Sequence, residues 1–128
     1  MRFRTLWGAA LVLAPVAVVP ACGGSGSNHG HSSSPTIAGA RELHVTAKAF
    51  SFSPKELSIG AGEKLNIVLK ATDIEHDFVI DDPKFAVHAA GGKTENGGLV
   101  IDKPGTYTFY CSIPGHKRAG MVGTLTVR

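Results

Sequence analysis

The chain is 128 residues long, and 13 Lys and Arg against 10 Asp and Glu leave it at a formal charge of +3. With Arg2 and Arg4 set aside as part of a leader, eleven basic side chains face ten acidic ones, so the remainder is close to neutral. No basic stripe is interleaved with aromatics, which excludes a nucleic-acid-binding surface.

The two arginines precede an uncharged apolar run over residues 6–19. That run is short for a membrane span and has the pattern of a secretory signal. It ends in Val19-Pro20-Ala21-Cys22, followed by Gly23-Gly24-Ser25, which resembles the lipobox of bacterial lipoproteins, although Pro20 is unusual there. The resemblance implies a signal peptide over residues 1–22 and lipidation of Cys22 as the mature N-terminus. It places the protein outside the cytoplasm, periplasmic or on the outer face, anchored to the cell membrane through that lipid. Residues 23–40 follow as a flexible Gly/Ser linker with no apolar period. His29 and His31 lie in it and read as solvated linker residues.

Residues 41–128 form one domain in which apolar and polar residues alternate, with no helical period. Leu43, Val45 and Ala47 alternate first, then Phe50 and Phe52, then Leu57 and Ile59 ahead of a turn at residues 60–63. Leu65, Ile67 and Leu69 follow, then His76, Phe78 and Ile80. Residues 82–98 are the least regular stretch, with room for a short helical turn. A short strand over 99–101 stops at Lys103-Pro104-Gly105. Tyr107, Phe109 and Cys111 alternate next, and Met121, Gly123, Leu125 and Val127 close the chain. Seven to eight short strands separated by turn signals predict an all-β antiparallel sandwich or barrel.

The period of two puts Cys111 on the face of Tyr107 and Phe109, His76 on that of Phe78 and Ile80, and Met121 on that of Leu125 and Val127. If those apolar faces make the core, three segments each aim a donor inward at its edge. His116, in the loop between two of these strands, closes over it. With Cys22 assigned to the anchor, Cys111 is a lone thiol in an oxidising compartment. A metal bond would hold it deprotonated and occupied.

Two imidazoles, one thiolate and one weak axial thioether form the donor set of a mononuclear electron-transfer copper site. Thiolate suits Cu(I), imidazole suits either oxidation state, and an axial Met leaves the geometry nearly trigonal. Zinc also takes His and Cys, but a long-bonded Met makes little sense for it. The chain shows no nucleophile–base pair, and four protein donors leave no open position for a substrate, so an enzyme is not expected.

Tyr110-Cys111-Ser112-Ile113-Pro114-Gly115-His116 and Gly120-Met121-Val122-Gly123-Thr124-Leu125-Thr126-Val127 resemble the small blue copper proteins, the cupredoxin family that includes plastocyanin, azurin and auracyanin. His76-Asp77-Phe78-Val79-Ile80 looks like the first-histidine strand of that family, and Gly105-Thr106-Tyr107 like its entry to the cysteine strand. The resemblance covers nearly all of residues 41–128. It implies a Greek-key β-sandwich and one type 1 copper ion held by His76, Cys111, His116 and Met121. It also implies a monomeric carrier of single electrons whose redox partners dock transiently near His116. A copper lipoprotein serving delivery or tolerance is the alternative, since it would share the site. One departure matters. The family often has Asn after its first ligand histidine, bonded across to the residue following the cysteine. Here those positions are Asp77 and Ser112. A carboxylate at that place favours Cu(II) and lowers the reduction potential. His44, His88, Lys117, Arg118 and the turn pair Asp81-Asp82 read as ordinary surface and turn residues.

Overall fold

The computed structural model describes residues 33–128. The expected leader over residues 1–22, with Cys22, His29 and His31, lies outside the described residues. The alternating segments form β1 (Arg41–Lys48), β2 (Ser51–Ser53), β3 (Glu56–Ile59), β4 (Leu65–Ala71) and β5 (His76–Ile80). β6 (Phe85–Ala89), β7 (Thr94–Leu99), β8 (Gly105–Tyr110) and β9 (Val122–Val127) complete them. They build two sheets packed face to face, ordered β2-β1-β4-β7 and β3-β9-β8-β5-β6. The chain changes sheet five times, between β2 and β3, β3 and β4, β4 and β5, β6 and β7, and β7 and β8, in the Greek-key manner.

The described residues contain nine strands and no helix, against the seven to eight strands expected. The additional strand comes from residues 82–98, where β6 and β7 replace the anticipated helical turn. Phe85, Val87 and Ala89 of β6 are buried, alternating with half-exposed Ala86 and His88, so the period is present but short. β7 reads Thr-Glu-Asn-Gly-Gly-Leu, a poor strand composition that becomes a strand only by pairing with β4 from Leu65↔Leu99 to Lys70↔Thr94. The strand expected over 99–101 accordingly ends at Leu99.

The flexible linker expected to run to residue 40 is seated on the sandwich from Ser33 onward. Ser34 N–H donates to the Ala86 carbonyl at 2.8 Å, and Gly98 N–H to the Pro35 carbonyl at 2.9 Å. The buried side chain of Asn66 accepts from Ile37 N–H at 2.8 Å and donates to the Ile37 carbonyl at 2.9 Å, so its amide is satisfied. The two glycines of β7 make this possible. A Cβ on Gly97 would stand 2.9 Å from the Ser34 carbonyl oxygen, and one on Gly98 would stand 2.5 Å from that of Pro35.

Phe50 also departs from its expected strand. It sits with Ala49 in the two-residue turn between β1 and β2, where Lys48 pairs with Ser51. Both residues are left-handed, with φ of 48° and 60°. That conformation costs a non-glycine residue about 1 kcal/mol. The core between the sheets centres on three phenylalanines. Phe78 stacks on Phe109 at 4.3 Å between ring centroids, and Phe52 meets both edge-on at 5.9 and 5.2 Å. Each buried ring contributes roughly 1.5–3 kcal/mol of apolar burial, enough to hold β5, β8 and β2 in register beneath the site.

Candidate metal centre

His76 is the first residue of β5, two places before Phe78, so the strand that anchors the core also aims this imidazole. Cys111 directly follows β8, and residues 111–121 make the turn that leads into β9. Backbone hydrogen bonds close that turn on itself. Cys111 N–H donates to the Met121 carbonyl at 3.1 Å, Met121 N–H to that of His116 at 3.1 Å, and His116 N–H to that of Ile113 at 3.0 Å. Gly115 and Gly120, with φ of 86° and 98°, supply the two left-handed bends that the path requires. The side chains of His76, Cys111 and Met121 are wholly buried, and His116 is 6% exposed.

One donor atom from each of His76, Cys111 and His116 lies within 4.8 Å of the others. Cys111 Sγ is 3.4 Å from His116 Nδ1. The two imidazoles are tilted against each other at 5.1 Å between centroids. His76 Nε2 is hydrogen-bonded to Asp73 Oδ1 at 2.8 Å, while its Nδ1 is buried with no partner. A buried ring nitrogen left unpaired beside a sulfur and a second imidazole nitrogen fits a metal ion that accepts all three.

The surroundings of the thiol act on it in two directions. Burial pushes the Cys111 thiol up to about 11, while the N–H groups of Asp77 and Ile113 pull the other way. Asp77 N–H reaches Cys111 Sγ at 3.4 Å. The Asp77 carboxylate, buried in turn, accepts from both the N–H and the hydroxyl of Ser112. Asp77 and Ser112 therefore tie the start of β5 to the residue after the cysteine, and the N–H donated to sulfur comes from the same residue.

Two residues at the centre were not singled out in the sequence. Asp73 hydrogen-bonds His76, and the i, i+3 spacing of a carboxylate before a ligand histidine was the available signal. Phe50 lies edge-on against His116 at 4.9 Å, and its place in a turn rather than a strand concealed this. His116 is therefore reached from solvent past a phenylalanine that is itself 45% exposed. Elsewhere, Lys117 Nζ lies 3.6 Å over the Tyr110 ring, and the Tyr110 hydroxyl donates to Asp81 Oδ1 at 2.7 Å. His44 is exposed beside Glu42, and His88 on β6 stands opposite Asp77 in the β5–β6 ladder.

Two imidazoles and a buried thiol converging at the rim of a two-sheet Greek-key sandwich define a small copper protein of the blue type. Residues 40–128 match the family described as copper binding proteins, plastocyanin/azurin family, and the chain belongs to it. It is 36% identical over 94 residues to a plastocyanin of Dryopteris crassirhizoma, across 62% of this chain and 89% of that one. To a plastocyanin of Prochlorothrix hollandica it is 35% identical over 86 residues, across 59% of this chain and 62% of that one. The structure of auracyanin B superposes with a TM-score of 0.66 over 76% of this chain and 95% of that one. At 23% identity that likeness is one of fold.

Proposed function

We propose that this protein is a carrier of single electrons outside the cytoplasm, tethered to a membrane by lipid on Cys22. His76, Cys111, His116 and Met121 would hold copper, which would supply a centre able to alternate between Cu(I) and Cu(II). The observation that carries this is the buried triangle of His76, Cys111 and His116, with the Nδ1 of His76 left without a protein partner.

The chain's own residues keep that triangle in one shape. The His76 backbone is pinned in the β5–β6 ladder opposite Ala89. Cys111 N–H donates to the Met121 carbonyl, so the backbone at the end of one strand is tied to that at the start of the next. Such a frame has little to rearrange when charge arrives or leaves. Partners dock near His116, where Phe50, Ile113 and Pro114 give an apolar surface flanked by exposed Lys117 and Arg118. With four protein donors the centre has no position for a substrate, so the protein is a carrier rather than an enzyme, and it acts as a monomer.

The test is to add Cu(II) to the full chain. An intense blue thiolate-to-copper charge-transfer band is expected, and Cys111→Ala removes it. A colourless product from the parent chain rules the function out. Stopped-flow mixing with redox partners then separates a carrier, which exchanges electrons and keeps its copper, from a delivery protein, which surrenders it.

A further inference from the structure

One carboxylate joins His76 to the turn that carries Phe50. Asp73, in the turn between β4 and β5, uses its two oxygens on two different donors. Oδ1 takes His76 Nε2–H at 2.8 Å, and Oδ2 takes the N–H of Ala49 at 2.7 Å. Ala49 belongs to the left-handed turn whose second residue, Phe50, lies edge-on against His116. The neighbouring Thr72 strengthens the same junction, since its N–H donates to the Ala47 carbonyl at 3.1 Å.

Two-residue hairpin turns with both residues at positive φ ordinarily use Asn-Gly or Asp-Gly. Ala49-Phe50 has neither residue, so something outside the turn must favour it. The contacts that do so are the Asp73 carboxylate on one side and the His116 ring on the other. A surface Asp that merely satisfied a turn N–H would have no reason to spend its second oxygen on a wholly buried imidazole. An amide in its place would serve one donor and turn its own N–H₂ toward the other.

We propose that Asp73 is a positioning residue for the whole centre: it locks His76 with the proton on Nε2 and Nδ1 bare, and through Ala49 it seats Phe50 against His116. This rests on the assignment of His76 and His116 as copper ligands, and it adds a device that sets both at once.

Nitrogen-15 NMR of the imidazoles in the metal-free full chain tests this without copper. The parent is expected to show His76 protonated at Nε2, with that proton exchanging slowly, and a nuclear Overhauser contact between the Phe50 and His116 rings. Asp73→Ala is expected to lose both signatures, and Asp73→Asn to lose one of them. Copper affinity, read by competition with a chelator, is expected to fall about 10–100-fold in Asp73→Ala. Phe50→Leu should abolish the ring contact while leaving the His76 proton in place. A parent chain with the proton on Nδ1 of His76 overturns the proposal by itself, whether or not any variant folds. So does an Asp73→Ala protein whose His76 signal and copper affinity match the parent. A parent that carries the Nε2 proton yet stays colourless with copper removes the electron-carrier function and leaves the clasp standing.

Discussion

His76 and His116 reach the same centre by different routes. His76 stands on a strand, wholly buried, two residues from the stacked Phe78, with its far nitrogen held by Asp73. His116 stands in a turn closed on itself by backbone hydrogen bonds and tied to β5 at Ser112, with an exposed phenylalanine at its edge. The strand supplies stiffness, because displacing His76 means displacing the core. The turn supplies access, because few groups lie between His116 and solvent. A site that passes electrons needs both properties, and this fold assigns them to different ligands.

The contrast breaks most severely if the core under His76 is removed. Phe78→Ala should lower the stability of the metal-free chain by about 3–5 kcal/mol in urea unfolding. Pro114→Ala in the turn should stay within about 0.5 kcal/mol. Equal losses from the two would show that strand and turn are not distinct supports.

Copper removal comes next. At a free concentration 1,000 times Kd the ion should add about 4 kcal/mol of stability, and chelation should return it without unfolding the sandwich. Loading must also expel the thiol proton, since Cys111 is pushed up to about 11 by burial. The folded metal-free protein therefore holds that proton through neutrality. Apparent affinity should rise with pH, by about tenfold per unit between pH 7 and 9. A flat profile in a chelator competition would mean that the thiol is already ionised.

Gly91→Ala presses first on the strand-borne side. A Cβ there would stand 2.7 Å from the Asp73 carbonyl oxygen and 3.2 Å from Ile74 Cα. The expected cost is about 1–3 kcal/mol by thermal or urea unfolding, with the larger shift in the His76 imidazole signals and a smaller one, passed on through Ala49 and Phe50, in those of His116.

Asp77→Asn sharpens the comparison electrically, because it removes a buried charge while an amide oxygen can still accept from Ser112. The reduction potential should rise, by roughly 40 mV for each kcal/mol of Coulomb energy lost, with an effect on the order of 1 kcal/mol. Voltammetry showing no rise would assign the Asp77 carboxylate a purely structural role.

Glu63→Gln is the smallest change and the distant control. Glu63 accepts from Arg41 Nε at 2.6 Å and from Gly60 N–H at 2.9 Å, at the end of the sandwich away from the centre. These donors hold its carboxyl below the ordinary range. Its stabilising share is thus present above the unfolded carboxyl pKa and disappears as pH falls through the folded one. The variant should show slightly weaker acid dependence of unfolding, and its copper potential should not move.

Legibility differed along the chain for physical reasons. β4, β5, β8 and β9 were readable because each carries its own alternation, and a side chain on a strand can point only to one face or the other. β7 was not, because Thr-Glu-Asn-Gly-Gly-Leu has no preference of its own and takes its form from β4 and from residues 34–37 laid over its glycines. The tether was drawn to residue 40 because Ser, Pro and Gly dominate it. Asn66 and the β6 backbone, far along the chain, hold its last residues in place. Phe50 followed a good alternation into the wrong element because nothing in Ala-Phe signals a left-handed turn.

The order and spacing of residues were enough to determine the donor types and the class of ion. A thiol, an imidazole and a thioether within residues 111–121 have few other uses, and that chemistry is local to the chain. Which turn N–H shares the Asp73 carboxylate with His76, which N–H reaches the Cys111 sulfur and which ring stands over His116 were decided by the tertiary structure alone. Each depends on segments that meet only when β1, β4, β5 and β8 are assembled: Ala49 and Asp73 are 24 residues apart, and Asp77 and Cys111 are 34 apart. No periodicity within one segment carries information about a partner in another, so these contacts emerge only from packing.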